Sequence, residues 1–348
     1  MSNKIGRRPV IAAMGMGLAL SALLGGTAFA QDMLELKLAT ADTDINPTTD
    51  SVLKLAGILG FYEKHGVKVE IVALEGTPQA VAALNSGAVD LADISIDAAL
   101  RLRADNNLPL RGVVAGTLGA PYLIASKADI TKVEDLVGKS FAIADNGSLD
   151  HTYTQLVLSS MGVAADGPKY VAIGAPAARV QALAAGKVDA TTVSYGTFLP
   201  IANTPGINIL VAPEDFSAAT PGVSKFVATL ETTATEKREA IQRFVDALID
   251  ASRSFEKDPK QWVTAMETAR DDLSPENLQK TADFLAGRWC VNGCLNPSAI
   301  AKTVEFTYTT PDFKDVKVVA ADDIVDESFT AESIKREGAF DGHTLDPR

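Results

Sequence analysis

The tripeptide Asn146-Gly147-Ser148 has the composition of a loop that can hold an anion. It stands directly before a predicted helix that begins at Leu149. The amino terminus of a helix carries free N–H groups and about half a positive charge, so a loop at this point can bind an oxyanion. Gly147 permits close approach of the backbone, and Ser148 can donate its hydroxyl to a ligand or act as an ordinary helix cap. These residues predict contact with an acidic group.

Two basic side chains stand near predicted helix starts of the same kind. Arg179 lies in the first turn of the helix that follows Gly174, and its guanidinium could clamp a carboxylate, sulfonate or nitrate with two hydrogen bonds. A salt bridge on the protein surface is the alternative role of this arginine. His151, in the first turn after the Asn-Gly-Ser loop, could hydrogen-bond the ligand or lie at the surface. Both residues are candidates for ligand binding.

One segment occurs twice and indicates how such helices are positioned. Residues 83–95 and 182–194 share Ala, Leu, Gly, Val, Asp and Ser at a constant offset of 99. Each copy reads as a helix end, a glycine cap and a short apolar strand that stops at Ser95 or Ser194, which is part of a βαβ unit. Ligands of open α/β sheets bind outside the carboxyl ends of strands, so the two serines should face each other across a cleft. Chance similarity of Ala-rich helices is the alternative.

Three more residues belong to this predicted cleft edge. Asn46 ends the polar loop that follows the first predicted strand, Leu34 to Ala39. Tyr195 follows Ser194 directly, and Tyr122 begins a strand that we expect to cross from one lobe to the other. A tyrosine can offer a ring face and a hydroxyl to a ligand, although aromatic residues more often belong to the core.

Acidic residues surround the same candidate sites and bear on the charge of the ligand. They are Asp42, Asp44, Asp97, Asp145 and Asp150. If several face the cleft, a simple dianion is repelled and a ligand with amine, amide or hydroxyl donors is favoured. Asp97 and Asp150 could instead serve only to satisfy helix dipoles. We expect a small polar organic solute with one acidic group.

The alternation of strand and helix patterns predicts an α/β protein with two lobes, each a sheet flanked by helices. The first lobe is expected to comprise residues 31–120 and 223–348, and the second lobe residues 121–222. A long amphipathic helix from Thr235 to Lys257 and three helices that begin near prolines should pack on the first lobe. The acidic tail from Asp322 should be weakly helical and contribute little chemistry.

The first 30 residues have the composition of a secretory signal peptide. A basic start precedes an apolar run from Val10 to Leu24, and Ala28-Phe29-Ala30 forms a cleavage site before Gln31. A twin-arginine route is not indicated, because Pro9 follows the arginine pair directly. No later apolar run reaches the roughly 18 residues of a membrane span. We expect the mature chain to begin near Gln31 and to reside in the periplasm.

Composition narrows the partners further. The chain of 348 residues is 47% hydrophobic and 22% charged, with a formal net charge of −12. Removal of the three basic residues of the signal peptide, Lys4, Arg7 and Arg8, changes this charge to −15. Such an acidic protein has no general affinity for nucleic acid or for anionic lipid. We expect a monomer with a small-molecule ligand, without direct insertion into a membrane.

The two cysteines, Cys290 and Cys294, enclose three residues. In an exported protein, the first interpretation is a local disulfide that pins a turn. A metal site is the competing interpretation, but His65, His151 and His343 stand at no ligand spacing from the pair. We therefore predict the disulfide and neither a metal nor a cofactor.

Four segments resemble the periplasmic binding proteins for nitrate, sulfonates and taurine, a fold family that includes binders and makers of thiamine pyrimidine precursors. They are G-F-Y-E-K-H-G-V-K-V-E-I-V from Gly60, Thr77-Pro78-Gln79 with the first repeat copy, V-E-D-L-V-G-K-S-F-A-I-A from Val133 and A-L-A-A-G-K-V-D-A from Ala182. The resemblance covers residues 34–213. It implies a type II, venus-flytrap binding protein that closes over a small solute and delivers it to an ABC-type import permease.

Two other functions remain open at this stage. An enzyme related to the pyrimidine-precursor synthases would need a nucleophile with a base or a metal cluster, and the sequence offers no such constellation and no G-x-S-x-G motif. We therefore expect no enzymatic activity. A periplasmic sensor partner would show the same closure but contact a receptor instead of a permease.

Overall fold

The computed structural model describes residues 33–74, 76–341 and 346. The predicted signal peptide and the expected mature start at Gln31 lie outside these residues. Within the described ranges, no helix combines the length and the hydrophobicity that a membrane crossing requires.

In the described part of the chain, ten strands form two five-stranded sheets with equivalent spatial order and strand directions. The first sheet has the order β2-β1-β3-β10-β4 and the second β7-β6-β8-β5-β9. The first comprises β1 (Leu34–Thr40), β2 (Val67–Ala73), β3 (Leu91–Ser95), β4 (Leu110–Val114) and β10 (Lys225–Leu230), and the second β5 (Tyr122–Lys127), β6 (Ser140–Ile143), β7 (Lys169–Ala172), β8 (Ala190–Ser194) and β9 (Ile207–Val211). In each sheet one strand, β10 or β5, is antiparallel to its neighbours. The predicted two-lobed α/β fold is confirmed.

The chain passes between the sheets twice. It leaves the first sheet after β4 and returns to it with β10. The two connections touch, because Gly119 N–H donates to Gly222 O at 2.8 Å. Gly222 has φ +112°, and a Cβ at this position would lie 2.3 Å from Thr303 Oγ1 and 2.7 Å from Ala299 O. Only glycine fits this crossing. The lobe boundaries at 120/121 and 222/223 stay predictions.

The sequence repeat corresponds to equivalent parts of the two sheets. The helix α3 (Thr77–Asn85) precedes β3, and α6 (Pro176–Ala184) precedes β8. The glycines predicted as caps, Gly87 and Gly186, have φ values of +73° and +68°. Each strand ends at its serine, which is the residue before the next helix. The repeat therefore reflects a shared helix–strand unit.

Twelve further helices lie in the described part of the chain. They are α1 (Ser51–Ile58), α2 (Phe61–Lys64), α4 (Ile96–Asn106), α5 (Leu149–Ser160), α7 (Tyr195–Phe198), α8 (Pro213–Ala219), α9 (Glu231–Glu236), α10 (Arg238–Lys257), α11 (Pro259–Ala269), α12 (Pro275–Leu285), α13 (Pro297–Thr307) and α14 (Ser328–Glu337). Gly60, with φ +76°, separates α1 from α2. Lys237 separates α9 from α10, and α8 was not predicted.

The C-terminal helices complete the core of the first lobe. Tyr62 stacks on Phe244 of α10 with 5.5 Å between ring centroids, and Phe255 contacts Trp289. The tail is more ordered than expected, because α14 packs on α10 with Phe329 fully buried. Cys290 and Cys294 form a disulfide within this buried region.

Candidate ligand-binding cleft

A cavity of about 490 Å³ lies where the carboxyl ends of parallel strands from both sheets meet. Its walls come from the loops after β1, β2, β3, β6, β7 and β8. Tyr122 and Lys225, the first residues of the antiparallel strands, lie at the same edge because they pair with Ser194 and Ser95. This is the edge at which open α/β sheets bind ligands.

Seven of the ten predicted ligand-binding residues line this cavity. They are Asn46, Ser95, Tyr122, Gly147, Ser148, Arg179 and Ser194. The other three, Asn146, His151 and Tyr195, are outside its lining. Several lining residues have their polar groups bound within the protein, so contact with a ligand stays a prediction for all of them.

Asn46 joins the two lobes. Its Nδ2 donates to Ser194 Oγ and to Thr197 Oγ1, both at 3.0 Å. A third bridge runs from Gly196 N–H to Thr48 Oγ1 at 3.2 Å. Asn46 and Ser194 are buried. Their side chains therefore hold the lobes together at this side of the cavity.

Lys54 shapes the loop that carries Asn46. Its Nζ donates to the carbonyls of Asp42 and Asp44 at 2.7 and 2.6 Å and lies 2.6 Å from Asp50 Oδ2. Asp50 in turn accepts from Asn46 N–H at 2.7 Å. Burial raises the pKa of Asp50 to about 7, although Lys54 acts in the opposite direction. One buried ammonium thus organises the first cleft loop.

The Asn-Gly-Ser loop is largely occupied with its own contacts. Ser148 Oγ lies 2.6 Å from Asp145 O and 2.7 Å from Asp150 Oδ1, its two alternative acceptors. Asn146 is exposed, and its N–H donates to Asp145 Oδ1. Gly147 has φ +72°, and a Cβ there would lie 3.3 Å from Arg101 Nη2 of the opposite lobe. The left-handed backbone therefore favours glycine here, and an added side chain would press on Arg101.

His151 and Tyr195 are bound elsewhere. His151 is buried, its Nδ1 accepts from Gly147 N–H at 3.0 Å, and the same atom lies 3.0 Å from Asp312 Oδ2. Tyr195 packs against Phe284 with 6.3 Å between ring centroids. These contacts within the protein fix the positions of both rings, and contact of either ring with a ligand stays a prediction.

Arg179 is buried in the second lobe instead of lying on its surface. Its Nη1 donates to Gly174 O at 2.5 Å and its Nη2 to Thr192 O at 3.4 Å. Asp150 Oδ2 lies 3.7 Å from Nη2. The guanidinium therefore holds the loop after β7, and only its Nε has no partner among the described residues.

Lys225 is a cavity residue that sequence reasoning missed. Its Nζ lies 3.2 Å from Asp93 Oδ2, and both side chains are largely buried. Burial opposes the charge of Lys225, but Asp93 raises the lysine pKa above its usual value. Burial raises the pKa of Asp93, partly offset by Lys225. The available signal was a lone cation at the start of the apolar strand K-F-V-A-T-L.

Asp97, in the first turn of α4, is another lining residue. It is only 3% exposed. Burial raises its pKa to about 6, while Ser95 and Arg101 act in the opposite direction. Its Oδ1 has no hydrogen-bond partner among the described residues. Burial similarly raises the pKa of Tyr122, whose phenol stays neutral.

A second hollow of about 380 Å³ adjoins the cavity and shares Asp42, Asn46 and Thr197 with it. It is also lined by Gln181 and Arg270. The two spaces also share Ala41, Ala175 and Pro176, so they adjoin along residues of both lobes.

One group away from the cleft could offer metal ligands within the described part of the chain. Ligand atoms of His65, Asp246 and Glu337 lie within 4.8 Å of one another. Asp246 already accepts from Gln242 and pairs with Arg336. The protein therefore supplies the counter-charge itself, and this group serves as an ion-pair network.

Comparisons with known proteins agree with this architecture. A family model described as NMT1/THI5 like matches residues 51–262, more than half of the chain. A Brucella abortus (strain 2308) protein, named as a binding protein without a stated ligand, is 27% identical over 214 residues. That match covers 61% of this chain and 65% of the relative, so the chain spans less than two thirds of the relative's length.

Three solved structures share the fold. The alkanesulfonate-binding protein SsuA from Xanthomonas axonopodis pv. citri, bound to MOPS, has a TM-score of 0.69 at 21% identity, covering 84% of this chain and 98% of that chain. The ligand-binding component of an ABC-type import system from Staphylococcus aureus has a TM-score of 0.69 at 17% identity, and the match covers 86% of this chain and 99% of that chain. The desulfurization enzyme DSZB has a TM-score of 0.61 at 16% identity, and the match covers 86% of this chain and 99% of that chain. At these identities the comparisons show the two-lobed fold alone.

Proposed function

Since the chain belongs to the NMT1/THI5-like family, we propose that it is an extracytoplasmic solute-binding protein of an ABC-type importer. It captures a small polar organic solute between its lobes and delivers this solute to a permease in the inner membrane. The predicted signal peptide supports a periplasmic location, and the named roles of the sulfonate-binding and import-system neighbours support the transport role.

The observation that carries the proposal is a solute-sized cavity enclosed by both lobes. A volume of about 490 Å³ falls in the range of small-molecule sites. Asn46 and Thr48 of one lobe bind Ser194, Thr197 and Gly196 of the other beside this cavity. A solute that contacts both walls would stabilise the joined lobes by its differential affinity for that state.

An enzyme is the second candidate, because DSZB shares the fold. The described lining of the cavity contains neither histidine nor cysteine, and His151 is engaged with Gly147 and Gln155 instead. A hydroxyl nucleophile would therefore lack an adjacent imidazole base. The composition of the cavity favours binding over turnover.

Thermal unfolding of the chain from Gln31 tests the proposal with sulfonates, nitrate, carboxylates, amino-sulfonates, amines and pyrimidines. A solute at a hundredfold excess over its Kd stabilises by about 2.7 kcal/mol, which raises the midpoint of a chain of this size by about 4 °C. We expect one chemical class to give this rise. The proposal is contradicted if no compound of the panel raises the unfolding midpoint, or if the protein converts a compound into a product.

A further inference from the structure

The charges that line the cavity indicate the sign of the solute, an inference that rests on the proposed function. Among the described residues, four acidic side chains line it, Asp42, Asp97, Asp145 and Asp150, against three basic ones, Arg101, Arg179 and Lys225. Asp93 adds a fifth carboxylate directly behind Lys225. The described walls therefore carry a surplus of negative charge.

Each basic residue is already committed to the protein. Lys225 pairs with Asp93 at 3.2 Å. Arg179 donates to two carbonyls and lies beside Asp150. Arg101 donates to Asp312 O at 3.0 Å, and its guanidinium lies over the Phe313 ring at 4.3 Å from the centroid. An anionic solute would have to compete with these partners.

The acidic residues of the lining differ in whether their carboxylate oxygens have hydrogen-bond partners within the protein. Asp150 accepts from Ala144 N–H at 2.9 Å and lies 2.7 Å from Ser148 Oγ, so both of its oxygens have partners. Asp97 is as deeply buried, but its Oδ1 lacks any donor from the described residues. A buried carboxylate oxygen without a donor is costly, and a donor supplied by a ligand removes that cost.

Asp42 adds its field to the same region. Its Oδ2 accepts from Thr49 Oγ1 at 3.0 Å, and it is half-buried in the cavity wall. Its charge acts on Asp93, Tyr122 and Lys225. Lys54, the nearby cation, binds the Asp42 carbonyl and pairs with Asp50, not with the Asp42 carboxylate.

We propose that the solute carries a positively charged hydrogen-bond donor, a protonated amine or amidine, which Asp97 accepts and Asp42 attracts. The solute is a cation or a zwitterion. One acidic group on it is compatible with the site, because Nε of Arg101 and Nε of Arg179 also have no partner among the described residues. A simple sulfonate, nitrate or dicarboxylate does not match the surplus of carboxylates.

Matched probes that share a body and differ in the amine test this proposal. Suitable pairs are taurine with ethanesulfonate, and 2-phenylethylamine and phenylalanine with 3-phenylpropionate, together with aliphatic diamines. Thermal unfolding and calorimetry are run on the wild-type chain and on Asp97→Asn, Asp42→Asn and Asp166→Asn. Asp166 is exposed and outside the cavity lining, so its variant controls for the loss of one charge.

The proposal predicts that an amine-bearing probe binds and that its des-amino partner does not. Asp97→Asn should lower the affinity for that probe by about tenfold to a hundredfold. Asp42→Asn should lower it by less, and Asp166→Asn should leave it unchanged. Binding of des-amino anions alone would overturn the charge assignment and leave the solute-binding function standing. Equal affinity of Asp97→Asn and the wild type for the amine-bearing probe would also overturn the charge assignment. If no probe binds, both proposals are contradicted.

Discussion

A methyl group added at Gly196 tests whether the two lobes meet as the structure has them. A Cβ at this position would lie 2.4 Å from Asn46 Oδ1, 2.8 Å from Pro47 Cδ and 3.1 Å from Pro47 N. All three atoms belong to the first cleft loop of the opposite lobe. Asn46 is held by several hydrogen bonds and the proline ring is rigid, so neither can simply rotate away.

The expected cost follows from this overlap. Overpacking by one methyl group typically costs about 1–3 kcal/mol. The backbone of Gly196 lies outside the positive-φ region, and Gly to Ala within a helix by itself stabilises by up to about 1 kcal/mol. The penalty therefore arises between the lobes. If the lobes separate to relieve it, a solute that needs both walls should bind about 5-fold to 150-fold more weakly.

Calorimetry with a stabilising solute and small-angle scattering of the free chain measure the effect. Gly196→Ala should raise the Kd and enlarge the radius of gyration. Gly57→Ala in α1 is the matched control, because the nearest atom to its Cβ would be Tyr62 Cδ2 at an ordinary 3.5 Å. If Gly196→Ala has the same affinity, radius of gyration and unfolding midpoint as Gly57→Ala, the lobes do not meet at Gly196 in this way.

Three further predictions concern stability. Because burial raises the pKa of Asp97 from 3.8 to about 6, the contribution of Asp97 to native stability should fall as pH rises from 4 to 6. Asp97→Asn should remove this cost, which is about 3 kcal/mol at pH 7. If the urea midpoint of the variant equals that of the wild type at pH 4.5 and also at pH 7, the prediction is wrong. Gly222→Ala should lower the unfolding free energy by more than 3 kcal/mol in urea, because its Cβ would meet Thr303 Oγ1 at 2.3 Å at φ +112°; a smaller loss would contradict the predicted overlap. Replacing Cys290 and Cys294 with serine should cost about 2 kcal/mol in the same assay, and an unchanged midpoint would show that the disulfide contributes nothing.

The local features of the fold were predictable because their causes lie close in sequence. The glycine caps and the apolar strands of the repeat located β3 and β8 within the segments 83–95 and 182–194. The strand that begins at Tyr122 was expected to cross between the lobes, but β5 lies entirely in the second sheet, so the chain crosses in the connection between β4 and β5. The helix α8 was missed, although Pro213 with Glu214 and Asp215 forms a recognisable helix start.

The partners of the cleft residues were beyond sequence reasoning. Lys225 meets Asp93 across 132 positions, and Asn46 meets Ser194 across 148. The sequence did not indicate the partners of Arg179, because they are backbone carbonyls, which carry no sequence signal. Only the tertiary structure therefore identifies the polar atoms that have no partner among the described residues, such as Oδ1 of Asp97.

Titration calorimetry followed by mass spectrometry of the released compound tests most directly whether this chain carries a solute. The chain from Gln31 is titrated with the compound that stabilises it most, then denatured, and the compound is recovered. We expect one molecule to bind per chain and to be recovered chemically unchanged. Recovery of a product, or absence of saturable binding by any compound of the panel, would contradict it.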